Sequence, residues 1–170
     1  MSRTEDIDAL AQALGRALAE RRLTVTTAES CTGGLIAAAI TSVPGSSAWF
    51  HQAVVTYANE AKCELAGVPA DTLHAHGAVS RATVRAMAEG VLERFGADVA
   101  IAVSGVAGPG GGSEDKPVGT VWVAVARTGH GCDARHHLFP GDRAEVRRRT
   151  VVAALRATLS VVAERAAREP

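Results

Sequence analysis

Leu23-Thr-Val-Thr-Thr-Ala-Glu-Ser-Cys-Thr-Gly-Gly-Leu-Ile-Ala-Ala-Ala-Ile40 passes from a short β-branched run to a helical one, through a turn carrying hydroxyls, a thiol and a carboxylate before two glycines. Leu23 to Thr27 predicts a strand, and Leu35 to about Thr41 predicts a helix. A helix start offers unpaired backbone N–H groups and the positive end of the helix dipole, and glycine lets a ligand approach that backbone closely. Ser30 in such a turn is placed as a nucleophile beside an oxyanion hole, or the turn serves as an anion site. The plainer alternative is a strand-to-helix turn capped by Ser30 or Thr32.

Outward from this unit the same alternation continues. Ile7, Leu10, Leu14 and Leu18 share one face of a helix predicted from about Thr4 to Arg21. Phe50 to Tyr57 reads as a second strand after the Pro44-Gly45 turn, and Asn59 to Ala66 as a short helix stopped by Gly67 and Pro69. Ser80 caps a long helix with Val84, Met87, Ala88, Val91, Leu92 and Phe95 on its buried stripe, ended by Gly96. Ala97 to Ser104 is a near-continuous apolar run of the kind buried on both faces of a sheet. It empties into a glycine-rich loop, Gly105 to Ser113. Val118–Arg127 and Cys132–Phe139 flank Thr128-Gly-His-Gly131 as a hairpin. Asp142 caps a last helix with Glu145 at the capping-box position and Val146, Thr150, Ala154, Leu155, Thr158 and Val162 inward. This order predicts one α/β domain over residues 1–170, a mixed β-sheet with helices on both faces.

Composition narrows the class. Lys plus Arg and Asp plus Glu cancel at 18 each, so no nucleic-acid partner is expected. The charged N-terminus and the lack of a long apolar run predict neither a signal peptide nor a membrane partner, hence a cytoplasmic protein. Cys31, Cys63 and Cys132 are widely spaced, which suits neither a disulfide framework nor a zinc site. His74, His76, His136 and His137 lack carboxylates at ligand spacing, so no metal or cofactor is expected. All basic residues but Lys62 and Lys116 are arginine. A lysine kept against that bias points to work arginine cannot do, because a desolvated lysine becomes a neutral base and arginine does not.

The turns after the first and third strands are where open α/β sheets collect ligands. The glycines of the second loop form an anion nest or a plain surface loop; they match neither a P-loop nor a dinucleotide fingerprint. Tyr57, Asn59 and Lys62 are polar candidates at the end of the second strand, although Asn59 also suits an N-cap and Lys62 a solvated surface. Cys31 is a weaker nucleophile candidate than Ser30, having no histidine near it in sequence. Arg147, Arg148 and Arg149 read as a solvated face with one member free to reach a phosphate or a neighbouring subunit.

Several motifs in order carry a resemblance. They are Thr27-Ala-Glu-Ser-Cys-Thr-Gly-Gly34, Pro44-Gly-Ser-Ser-Ala-Trp-Phe50, Val55-Thr-Tyr-Ala-Asn-Glu-Ala-Lys62, His76-Gly-Ala-Val-Ser80, Ser104-Gly-Val-Ala-Gly-Pro109, Lys116-Pro-Val-Gly-Thr-Val-Trp122 and Gly141-Asp-Arg143. Together they resemble the CinA C-terminal domain family, whose stand-alone members are nicotinamide-nucleotide amidohydrolases. One departure is Ala58, where relatives commonly carry serine. The larger N-terminal domain of full-length members has no counterpart in this sequence, and its pyrophosphatase activity is not carried over.

The resemblance implies hydrolysis of the carboxamide of nicotinamide mononucleotide (NMN) by a metal-free serine–lysine dyad, with Ser30 as nucleophile and Lys62 as base. On such a mechanism the oxyanion is expected at the N–H groups of Gly33 and Gly34 or of the Gly105 loop. Glu29 and Tyr57 are candidates for the pyridinium ring, and the glycine loop with Gly108, Ser104 or Arg143 for the phosphate. Thr32 and Asn59 complete the expected binding set. A homo-oligomer is also expected, with Trp49, Phe50 and Trp122 in the core or at an interface. Two other readings fit the same residues: a non-catalytic nucleotide- or partner-binding module, and an amidase for another pyridine or nucleotide amide.

Overall fold

The computed structural model describes residues 6–164. Its elements follow in the order α1 (Ile7–Arg21), β1 (Val25–Glu29), α2 (Leu35–Thr41), β2 (Phe50–Val55), α3 (Asn59–Ala66), α4 (Ala70–His76), α5 (Arg81–Phe95), β3 (Val99–Gly105), β4 (Thr120–Arg127), β5 (Gly131–Leu138) and α6 (Arg143–Ala163). One sheet of order β2-β1-β3-β4-β5 joins all five strands. β1 is parallel to both β2 and β3, and β4 and β5 add antiparallel to the far side. Helices α1, α2 and α6 cover one face and α3, α4 and α5 the other, each face with its own apolar core. This is the mixed, doubly covered sheet that the sequence predicts.

Burial follows from position in that sheet. β1 and β3 are interior strands under helices on both sides and are buried almost throughout, the largely apolar run of β3 and, in β1, Thr26, Thr27 and Glu29 as well. β5, at an edge, alternates between exposed and half-buried residues. Trp49 is only 5% exposed and belongs to the core beside α1, where a Cβ on Gly15 would stand 2.7 Å from its ring. On the other face, α5 comes so close to the end of α3 that a Cβ at Gly90 would collide with the Ala66 carbonyl. Only glycine permits that approach, and it seats the helix carrying Lys62 against α5.

The differences from expectation are local. β1 starts and ends two residues later than predicted, because its pairing with β3 continues through Ala28↔Ala102 and Glu29↔Val103. Glu29 is therefore the last strand residue and not part of the turn. α1 begins at Ile7 behind an Asp6 cap that accepts from the Asp8 N–H, and the expected start at Thr4 lies outside the described residues. α4 is an additional helix. Its sequence has no apolar stripe, and only Leu73 packs inward. Ser80 and Asp142 cap α5 and α6 as expected, but the Glu145 carboxylate turns to Arg148 and Arg149 and not back to its cap. Among the described residues no helix is long and apolar enough to cross a membrane.

Candidate active site

The chain leaves β1 towards β2 on one side and β3 towards β4 on the other. The crevice beyond the C-terminal ends of β1 and β3 is thus a topological switch point. Two loops meet there: the Ser30–Gly34 turn, and the glycine-rich stretch after β3.

The turn is built on Glu29. This side chain is 1% exposed and accepts five hydrogen bonds, from the Thr27 and Thr32 hydroxyls and the N–H groups of Gly34, Ile36 and Ala37. The tightest is Thr32 Oγ1 at 2.6 Å. A carboxylate thus caps α2, satisfying N–H groups that its own first turn leaves unpaired. Gly34, at φ 102°, supplies the left-handed residue that starts the helix under this cap.

Lys62 enters from the first turn of α3 and is 1% exposed. Its Nζ lies 3.1 Å from Ser30 Oγ, 2.8 Å from the Thr56 carbonyl oxygen and 3.1 Å from that of Tyr57. Among the described residues no carboxylate pairs with it. Burial without a counter-charge holds its ammonium below the ordinary 10.5. As an ammonium, Nζ donates to all three neighbours; once deprotonated, it keeps its bonds to the two carbonyls and can turn its lone pair to the Ser30 hydroxyl.

A cavity of about 310 Å³ opens over this pair. Tyr57 and Asn59 form one wall, and Ser104, Gly105 and Gly108 with the following glycines form another. Arg143 bridges these two walls, donating to the Gly108 carbonyl at 2.8 Å and to the Tyr57 hydroxyl at 3.0 Å. Asn59 is the first residue of α3 and not its cap; Ala58 holds the cap position and offers no side-chain acceptor.

Four expected site residues sit elsewhere. Glu29 and Thr32 lie beneath the turn and are absent from the cavity wall, so Glu29 has no lone pair left to meet a pyridinium ring there. The Gly33 N–H donates to the Ser30 carbonyl and the Gly34 N–H to Glu29, so neither is available to an oxyanion. Cys31 does line the cavity, but burial, and after it the Glu29 charge, pushes its thiol up to about 11. It stays protonated near neutral pH and is a poor nucleophile. Sequence reasoning missed the third wall, Ala78 and Val79 between α4 and α5. It also gave Lys116 no role. Lys116 donates to the His76 carbonyl at 3.0 Å and ties the glycine loop to that wall.

Comparison with known proteins places this arrangement among relatives. The model of the CinA C-terminal domain matches residues 7–162. A competence-damage inducible protein of Symbiobacterium thermophilum is 57% identical over 158 residues; the match takes in 88% of this chain but only 37% of that longer relative. The nicotinamide-nucleotide amidohydrolase PncC of Escherichia coli K12 is 53% identical over 146 residues, covering 86% of this chain and 88% of the relative. Among solved structures, a competence/damage inducible protein from Agrobacterium tumefaciens superposes with a TM-score of 0.90 at 43% identity, over 96% of this chain and 100% of that one. One from Klebsiella pneumoniae superposes with a TM-score of 0.90 at 42% identity, over 94% and 99%.

Proposed function

The chain belongs to the CinA C-terminal domain family, and on that premise we propose that it hydrolyses the carboxamide of NMN to nicotinate mononucleotide and ammonia. The observation that carries the reading is the buried Lys62 amine, 3.1 Å from Ser30 Oγ and without a carboxylate partner among the described residues. A surface lysine has no reason to be there, since burying an ammonium unpaired is costly and favours the neutral form.

In the proposed reaction Ser30 Oγ attacks the amide carbon as Lys62 Nζ accepts its proton. The two carbonyls that hold the other amine hydrogens keep the lone pair on the hydroxyl. The tetrahedral oxyanion is met by N–H groups other than those of Gly33 and Gly34. The Cys31 N–H, next to the nucleophile, and the loop from Gly105 are the donors assigned here. Lys62 then returns the proton to the leaving nitrogen as the C–N bond breaks, and ammonia departs. Water attacks the acyl-enzyme, giving a proton to Lys62, and Lys62 passes that proton to Ser30 Oγ as the C–Oγ bond breaks, freeing the acid, which ionises to the carboxylate, and restoring the neutral amine. Tyr57 stacks on the pyridinium ring, and Arg143 with Ser104 and the glycine loop receives the phosphate.

The pH profile tests this reading. Only neutral Lys62 accepts a proton, so activity is lost as pH falls through its lowered pKa and recovers as pH rises. Ammonia release from NMN, followed as kcat/KM, is expected to show one protonation on the acid side, below 10.5. Free nicotinamide, lacking the phosphate, is expected to react at least ~100-fold more slowly. A flat acid limb, or equal turnover of the free base, would contradict the assignment.

A further inference from the structure

Three consecutive arginines open the second turn of α6, and two of them are accounted for. Arg148 and Arg149 both pair with Glu145, whose carboxyl they hold down at about 2. Arg147 points the other way, into the molecule. Its Nε donates to the Cys31 carbonyl at 3.1 Å and its Nη2 to the Thr32 carbonyl at 3.1 Å. These are the two carbonyls that directly follow the nucleophile, held by the two prongs of one planar guanidinium.

We propose that Arg147 is a positioning residue that holds the Cys31–Thr32 and Thr32–Gly33 peptide planes, and so keeps the nucleophile turn in its reactive form. The proposal rests on the reading of Ser30 as nucleophile. With Glu29 taking the N–H groups of Gly34, Ile36 and Ala37, and the Ser30 carbonyl taking that of Gly33, the downstream donors of the turn are anchored. Of its outward carbonyls, that of Thr32 accepts from the Leu35 N–H as well as from Arg147, and that of Cys31 accepts from Arg147. In a trans peptide the C=O of one residue and the N–H of the next point oppositely, so holding the carbonyls also sets the N–H directions. The Thr32–Gly33 plane is also held by the Ser30 carbonyl and the Leu35 N–H, so the plane that depends on Arg147 is Cys31–Thr32, whose flip would reverse a dipole beside Ser30, where negative charge develops. Lysine cannot replace the fork, because its single ammonium does not grip two carbonyls in one fixed geometry.

The placement on α6 adds to this. Arg143 and Arg147 are one turn apart on one helix face. Arg143 braces the glycine loop and Tyr57, and Arg147 braces the Ser30 turn. One rigid helix therefore sets the distance between the nucleophile and the opposite wall. Arg147 itself is absent from the cavity wall, which separates it from a phosphate ligand.

The test compares Arg147→Lys and Arg147→Ala with the wild type, using NMN as substrate. The expected result is a kcat lower by on the order of 10- to 100-fold in both variants, with KM within about threefold of the wild type. The acid limb of the pH profile stays in place, because Lys62 is untouched. Added guanidinium ion restores part of the activity of Arg147→Ala and none to the wild type. Full activity in both variants, or a lowered melting temperature with kcat intact, would overturn the proposal. So would a KM raised about tenfold or more at unchanged kcat, which would make Arg147 a phosphate ligand. Absence of turnover in the wild type would instead refute the amidohydrolase reading, and with it the premise.

Discussion

Lys62→Met is expected to reduce NMN turnover by on the order of a thousandfold or more while the protein still folds. Methionine fills nearly the volume of the lysine stem, so the apolar packing of α3 on α5 survives. What goes is the amine beside Ser30, with the proton acceptor proposed for it, and the donor to the Thr56 and Tyr57 carbonyls. The accompanying stability change has a defined sign with pH. In the folded protein burial lowers the Lys62 pKa below 10.5, whereas in the unfolded chain the side chain is solvated. Between the two values the unfolded state binds more protons, so wild-type stability rises with pH across that window. Lys62→Met has no such titration. The difference in melting temperature should therefore move in favour of the wild type as pH climbs towards 10.5. A difference that stays flat with pH would mean that Lys62 is not desolvated as described.

Glu29→Ala is expected to be the most destabilising single change at the site, on the order of 5 kcal/mol by chemical denaturation. It removes the acceptor of five hydrogen bonds at once and leaves donors buried beneath the Ser30 turn. No rearrangement supplies a replacement, since the Thr32 hydroxyl is fully buried and the N–H groups belong to the start of α2. Glu29→Gln should cost less, about 2–3 kcal/mol, because the shape is kept but an amide NH₂ is set among donors. Both variants should lose activity together with the order of the turn. A stable, active Glu29→Ala would show that the carboxylate does not hold α2.

Much of this was legible in the chain, and the reasons differ from element to element. Long periodic stripes, such as Val146 to Val162 on α6, depend only on which face meets the sheet, and every one of those positions is buried. The apolar run of β3 likewise announced an interior strand. α4 was missed because Ala70-Asp-Thr-Leu-His-Ala-His76 has no apolar period to see; it is held by its neighbours. At the site, sequence could nominate Ser30 and Lys62, but their separation of 32 positions is closed only by the pairing of β1 with β2. It could not tell which polar groups of the turn face the cavity and which face inward. Glu29 and Thr32 read as site residues and turn out to be a cap. Arg147 reads as surface because its partners are backbone carbonyls, which leave no mark on side-chain pattern. Gly33 and Gly34 looked like free donors because sequence shows glycine and not the acceptor its N–H has found.

The most direct test is ammonia release from NMN by the purified, chelator-treated protein, with Ser30→Ala run at the same concentration. Steady turnover in the wild type that disappears in Ser30→Ala, while the variant keeps its melting temperature and still binds NMN, is the predicted result. Saturable NMN binding without ammonia from a well-folded wild type, or undiminished release from Ser30→Ala, would contradict it.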